Sequence, residues 1–342
     1  MSVQPEMQLR SAMQVHPELV PAFESLPQFA DPYEDIEATR EGFHKMLAAF
    51  PADRTGVSSE RFEIPRADGS ALTVEVYRPE GGADTGPGQD ARAAAPEGAG
   101  RALPAVLHFH GGGFVLGRSL PGQDRAAIAL CRELPAVVLT VEYRLAPEHR
   151  YPAGVEDCYR ALEWAAERAA GLGIDPARIA LTGKSAGGGL SAAVALMARD
   201  RGGPAIVHQS LCVPDVDDRV GADEAAEDVE TRVTTARDIQ RAWRHYLPEG
   251  TAEAEAYAAA ARATDLSGLP PAYVLVCDLD PLRDAGLAYA RRLMDAGVPV
   301  TVRNVPGAWH GFELFAPDTR VAKEMTAHWT GQLREALYPA GG

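Results

Sequence analysis

No apolar run in this 342-residue chain approaches the length of about 20 residues that spans a bilayer. Its first residues, MSVQPEMQLRSAMQVHPELV, lack the basic-then-apolar order of a secretory signal, so the chain is expected in the cytoplasm. Cysteine is scarce and scattered: Cys131, Cys158, Cys212 and Cys277 form no C-x-x-C pair, which suggests neither a zinc knot nor a dithiol redox centre. They read as small hydrophobes in a reducing compartment. Basic residues are outnumbered, 33 Lys and Arg against 48 Asp and Glu, and the net charge of -15 repels phosphate backbones and anionic lipid. Nucleic acid is therefore not an expected partner. No internal repeat is visible.

With 46% hydrophobic residues, the chain can fill one large α/β domain or two ordinary ones. RFEIPR and ALTVEVYRP around the turn ADGS predict a hairpin at a sheet edge. LPAVLHFH, PAVVLTVEY, RIALTG, AIVHQSLCVP, PPAYVLVCD and VPVTVRNVP then read as strands. Helices are predicted at QDRAAIALCREL, GVEDCYRALEWAAERAAGLG, AGGGLSAAVALMARD, PLRDAGLAYARRLMDAG and TRVAKEMTAHWTGQLREAL. Such alternation predicts a mostly parallel sheet covered by helices on both faces. Two stretches stand outside it: residues 1–55, with helix-like spacing broken by proline, and 214–267, with the acidic run GADEAAEDVE and the helix-like TARDIQRAWRHYL. Together they are expected to form a two-part helical cap over the carboxyl edge of the sheet, the core being 56–213 and 268–342. Within that core, 80–102 is rich in Gly, Ala and Pro with almost nothing to bury, and reads as a flexible loop.

Candidate chemistry concentrates at strand ends. Gly183 and Gly187 flank Ser185 in a G-x-S-x-G pattern between a strand and a helix, where glycines permit the tight approach that exposes a strained serine. The Ala186 N–H then lies unpaired at a positive helix end and can donate to a developing oxyanion. A serine there can also be an ordinary helix cap; the strand before it and the helix after it favour a nucleophile. HFHGGGFVLG follows another strand, and its glycines leave backbone N–H groups unobstructed, as acyl transfer requires. It has neither G-x-G-x-x-G spacing nor a G-K-[ST] ending, which argues against a phosphate loop. His108 and His110 share a strand face, but no third ligand is close in sequence, so no metal is expected.

Of nine histidines, His310 in PGAWHGF follows the last strand, where an imidazole can project over the carboxyl edge. The acid that orients it should end an earlier strand, and YVLVCDLDPLRD offers Asp278 and Asp280, Asp284 falling within the next helix. Asp280 is preferred because it stands just before that helix, and the chain from there to His310 leaves room for a helix, a strand and a loop. Its plain role would be helix capping. The order Ser185, Asp280, His310 is the chain order of α/β-hydrolase triads. Phe114, Trp243 and Trp309 are candidate pocket walls.

HGGGF, YRLAPEHRYPA, GKSAGGGL, DPLRDAG and HGF occur in the order and at about the spacing of the hormone-sensitive-lipase-like family of bacterial esterases. The chain resembles that family from about residue 60 to its end, and the N-terminal segment with RAWRHYLP looks like the family's cap. The resemblance implies an α/β-hydrolase fold, hydrolysis of carboxylic esters of short to medium acyl chains, and no cofactor. It implies Ser185 as nucleophile, His310 as general base and acid, Asp280 as orienting acid, and the N–H groups of Gly112, Gly113 and Ala186 as the oxyanion hole. It also implies a homodimer through the last strand and helix. An acyl-enzyme can pass its acyl group to an alcohol, amine or thiol, so acyltransferase, thioesterase, lactonase and deacetylase are alternatives. A non-catalytic receptor of this fold would lack the triad histidine, which is present.

Lys184 departs from the family, where Asp is usual beside the nucleophile. Glu142 stands where Asp is frequent, and 80–102 is longer than typical. Lys184 does not fit a Ser-Lys base, which needs S-x-x-K spacing. Its plain role is an ion pair with Glu142 or Glu148, or an ammonium extended to water. The sharper expectation is a cation that lowers the pKa of His310 and favours an anionic ester.

Overall fold

Strands β3 (Leu103–Phe109) and β4 (Val137–Val141) are apolar at almost every position, as strands with no solvated face must be. They lie within an eight-stranded sheet of order β1-β2-β4-β3-β5-β6-β7-β8. The remaining strands are β1 (Val57–Pro65), β2 (Ala71–Pro79), β5 (Ile174–Lys184), β6 (His208–Cys212), β7 (Ala272–Leu279) and β8 (Val300–Trp309). The hairpin β1–β2 is antiparallel and joins β4 antiparallel; every other pairing is parallel. This computed structural model describes residues 14–26, 31–48, 52–66, 68–80, 102–118, 124–221, 233–249, 251 and 254–339.

The helices are α1 (Val20–Ser25), α2 (Ile36–Ala48), α3 (Asp124–Glu133), α4 (Ala153–Glu167), α5 (Ala169–Leu172), α6 (Ala186–Arg201), α7 (Ala236–Tyr246), α8 (Arg283–Asp295), α9 (Phe312–Phe315) and α10 (Arg320–Leu337). Alternation along the strands sorts side chains into two cores. Ala105, Leu107, Leu139, Ile179 and Leu181 pack on the face of α4, α6 and α8. Val106, Val138 and Ala180 pack on the face of α3 and α10. Helix α6 is small or apolar all round, and every residue from Ala186 to Ala198 is buried.

From β3 the chain passes through α3 to β4 on one side, then through α4 and α5 to β5 on the other. Connections leaving neighbouring strands in opposite directions open a crevice at their carboxyl ends, which is where α/β sheets bind ligands. By that rule the crevice is expected where the glycine loop after β3 meets Ser185 after β5.

Two local expectations are corrected. Strand β5 begins at Ile174, earlier than RIALTG, because Ile174 pairs with Leu103 ahead of a register shift. The helix expected across 154–173 divides at Arg168 into α4 and α5. The loop expected at 80–102 falls, over 81–101, outside the described residues, as do residues 222–232 with most of the acidic run. Among the described residues no helix is long and apolar enough to cross a membrane.

Candidate active site

Strand β5 ends at Lys184 and α6 starts at Ala186, so Ser185 alone makes the turn, with φ 57° and ψ -124°. A side chain in such a conformation costs about 1–3 kcal/mol and persists only where its surroundings enforce it. Three backbone hydrogen bonds do so: Ser185 N–H donates to Cys212 O at 3.0 Å, and Ser185 O accepts from Gly189 N and Asp215 N, both at 3.1 Å. Gly187 lets the helix start press against the end of β3, since a Cβ there would stand 2.1 Å from Phe109 O. The glycine loop follows directly, and a Cβ on Gly111 would lie 3.4 Å from the Ser185 Cβ. Gly112 has φ 123°, a conformation that side chains rarely adopt.

His110 anchors that loop from beneath. Its ring stacks on Tyr143 with centroids 4.1 Å apart, and the Tyr143 hydroxyl donates to His110 O at 2.8 Å. Burial holds both loop-proximal imidazoles neutral, His108 down at about 3, with Lys184 adding to the effect, and His110 at about 4.

Asp280 follows β7 and is 5% exposed. Its Oδ1 accepts from Leu282 N at 2.8 Å, and its Oδ2 accepts from His310 Nδ1 at 2.7 Å. The local turn and the histidine therefore use different oxygens. Asp278, the alternative acid, is engaged instead by Asn304 and by Gly307 N–H on the β8 side. Asp284 pairs with Arg283. Burial opposes a charge on His310, but the Asp280 carboxylate and its hydrogen bond, with Glu313 and Asp215 behind, hold the imidazole above its ordinary value. The net shift is therefore upward, and the Lys184 cation expected to lower it is not among the groups acting directly on the ring.

The reason lies in where Lys184 points. Along β5, Thr182 and Lys184 face α10: Trp329 Nε1 donates to Thr182 Oγ1 at 3.2 Å, and Lys184 Nζ sits 5.0 Å from the same indole. There Nζ meets Glu313 Oε1 at 2.6 Å. The expected partners Glu142 and Glu148 are corrected accordingly; both precede α4, and Glu148 binds Arg40 at 2.8 Å. Burial works against both ions, yet each stabilises the other's charge, raising the pKa of Lys184 and lowering that of Glu313.

Two further segments touch the glycine loop. Helix α7 starts on a capping box between Thr235 and Asp238, and Arg150 donates to the carbonyls of Arg244, His245 and Leu247 at its end. Its buried face holds Phe114, whose ring lies 4.1 Å from Tyr246 and 5.1 Å from Trp243. A Cβ on Gly113 would come within 2.8 Å of the Tyr33 hydroxyl and 3.0 Å of Ala242 Cβ. Phe114 is thus covered by α7. Trp309, expected in a pocket wall, is instead fully buried between Phe23 and Phe312 in the core facing α10.

Asp215 escaped the sequence reading. It follows β6, is fully buried, accepts from Trp243 Nε1 at 2.9 Å through Oδ1, and leaves Oδ2 without a partner. Burial pushes its carboxyl up to about 7, against the Trp243 hydrogen bond. The signal was an acid closing an apolar strand, the same cue that singled out Asp280. Glu313 was also missed, although it stands three residues beyond His310.

The parallel sheet, the strained serine at its switch point and the acid–histidine pair at the ends of β7 and β8 define a hydrolase-type α/β architecture. The sequence profile of the alpha/beta hydrolase fold family Abhydrolase_3 matches residues 106–314. The chain belongs to this family, in its hormone-sensitive-lipase-like branch. It is 41% identical over 239 residues to carboxylesterase NlhH of Mycobacterium tuberculosis, covering 69% of this chain and 75% of the relative. It is 37% identical over 212 residues to the arylesterase of Saccharolobus solfataricus, covering 60% and 67%. Among solved structures, Bacterial Heroin Esterase is similar with a TM-score of 0.83 at 35% identity, over 95% of this chain and 98% of that one. The hyperthermophilic esterase of the archaeon Pyrobaculum calidifontis gives 0.78 at 34% identity, over 94% and 99%.

Proposed function

We propose that this protein hydrolyses carboxylic esters through an acyl-enzyme on Ser185, with His310 as base and then acid and Asp280 as orienting group. The observation that carries this reading is the 2.7 Å contact between His310 Nδ1 and Asp280, on a loop that the Lys184–Glu313 pair ties to the residue beside Ser185. Four esterases among its relatives support the reaction class.

With Nδ1–H donating to Asp280, the Nε2 lone pair of His310 is left to take the Ser185 proton as Oγ attacks the ester carbonyl. The oxyanion so formed is bound by the N–H groups of Gly112, Gly113 and Ala186. His310 then protonates the leaving alcohol, and a water activated by the same imidazole releases the acid. Asp280 stabilises the imidazolium without accepting its proton. The segments 1–55 and 214–267 act as a cap, since Tyr33 and α7 both reach the glycine loop; the substrates are small esters of short to medium acyl chain. Four buried cysteines, none in a disulfide, support a reducing cytoplasm. A homodimer would use β8, an edge strand with Val302 exposed, and α10; sedimentation at micromolar concentration tests it.

The test is labelling by a fluorophosphonate with the adduct mapped by peptide mass, beside turnover of p-nitrophenyl esters of increasing chain length, a thioester and a lactone. Label on Ser185 and loss of ester turnover by at least about 10³-fold in Ser185→Ala are expected. Undiminished hydrolysis by that variant overturns the reading. Faster transfer to an added alcohol, amine or thiol than to water assigns an acyltransferase instead.

A further inference from the structure

Lys184 immediately precedes the proposed nucleophile, and Glu313 lies three residues after the proposed base, in α9. Their side chains meet at 2.6 Å and are only 26% and 15% exposed. An ion pair this sheltered differs from one on the surface, because removing either partner strands a half-buried charge. The Trp329 ring, 5.0 Å from Nζ, holds the ammonium from the α10 side, and Thr182 in turn holds that indole. The pair therefore ties the two segments together: Ser185, Lys184, Glu313 and His310 are linked in series by one ionic contact and two short runs of backbone.

We propose that Lys184 and Glu313 are positioning residues, which set the separation between the nucleophile turn and the histidine loop and limit the negative charge that Glu313 presents to His310. The proposal rests on the esterase reading given above. The carboxylates facing His310 are Asp280 from β7, Asp215 from the loop after β6 and Glu313 from α9. Glu313 is answered by Lys184; the thiols nearest that lysine, Cys212 and Cys277, are pushed by burial to about 12 and well above the ordinary value, so they stay neutral. The lysine's effect on the imidazole is thus indirect, through the carboxylate it neutralises.

The experiment is the pH dependence of kcat/KM for a neutral p-nitrophenyl ester, whose acidic limb reports the base in the free enzyme. Glu313→Gln removes a carboxylate and leaves an uncompensated cation, so its acidic limb moves to lower pH. Lys184→Met leaves the carboxylate unanswered and moves the limb to higher pH, each by about half a unit or more. The double variant falls between the two. Both single variants lose about 3- to 30-fold in kcat with smaller changes in KM, and Lys184→Arg, which keeps the cation, restores most of it. A purely structural pair would lower activity without moving the two limbs apart. Shifts in the same direction, or no shift, overturn the proposal. Should Lys184→Met fail to fold by circular dichroism, the near-isosteric Glu313→Gln decides alone, an unmoved limb overturning the proposal. Loss of turnover in Ser185→Ala with an unmoved Glu313→Gln limb sinks only this inference; a wild type without Ser185-dependent turnover sinks the esterase reading instead.

Discussion

Asp280 divides its two oxygens between a backbone N–H and an imidazole, and that division makes its substitution informative. In Asp280→Asn the amide still accepts from Leu282, but it favours the wrong His310 tautomer and removes a charge that raises the imidazole. We expect kcat to fall by about 10⁴-fold and the residual acidic limb to move to lower pH, read from p-nitrophenyl acetate profiles. Asp215 carries a different prediction. Its ordinary value is 3.8 and its folded value about 7, so the stability linked to its neutral form is full below pH 4 and is lost as pH rises through 7. Asp215→Asn removes that loss. By urea unfolding it should be more stable than wild type by roughly 2–4 kcal/mol at pH 8 and nearly equal at pH 4. At this scale residue types and their order were readable beforehand, Ser185 with its glycines and Asp280 ahead of its helix. The partners of Lys184 and the burial of Trp309 were not, because both depend on which face of the sheet an adjacent element covers.

Among elements, the start of α6 against the end of β3 is the contact on which the site depends. The Gly187→Ala methyl would stand 2.1 Å from Phe109 O, so helix and strand must separate. We expect a loss of about 1–3 kcal/mol in stability by thermal melting, and a fall in kcat larger than the rise in KM as the proposed oxyanion donors shift. Strand and helix positions were legible because apolar runs bounded by turn residues have few other ways to bury themselves. Helix α7 was legible too, from the polar and apolar sides of TARDIQRAWRHYL. Its seat on Phe114 was not, since Phe114 enters that contact with φ 62°, a backbone state no periodicity reveals.

The whole molecule carries a net charge of -15, and its one lysine beside the candidate site is neutralised by Glu313. No preference for anionic esters follows from Lys184. Instead kcat/KM for an anionic ester should rise as salt increases from 10 to 200 mM, in the range where the screening length falls from about 30 to below 10 Å, while that for a neutral ester stays level. Equal salt responses would show that the net charge does not reach the crevice. By itself the sequence determined the α/β class, the chain order of serine, acid and histidine, and the exclusion of phosphate and redox motifs, since these follow from local pattern and spacing. Tertiary structure alone decided that Lys184 turns away to Glu313, and that Asp215 is buried close to Asp280 and His310. Those outcomes depend on strand order and on the face each side chain takes, and both are settled only when distant segments pack together.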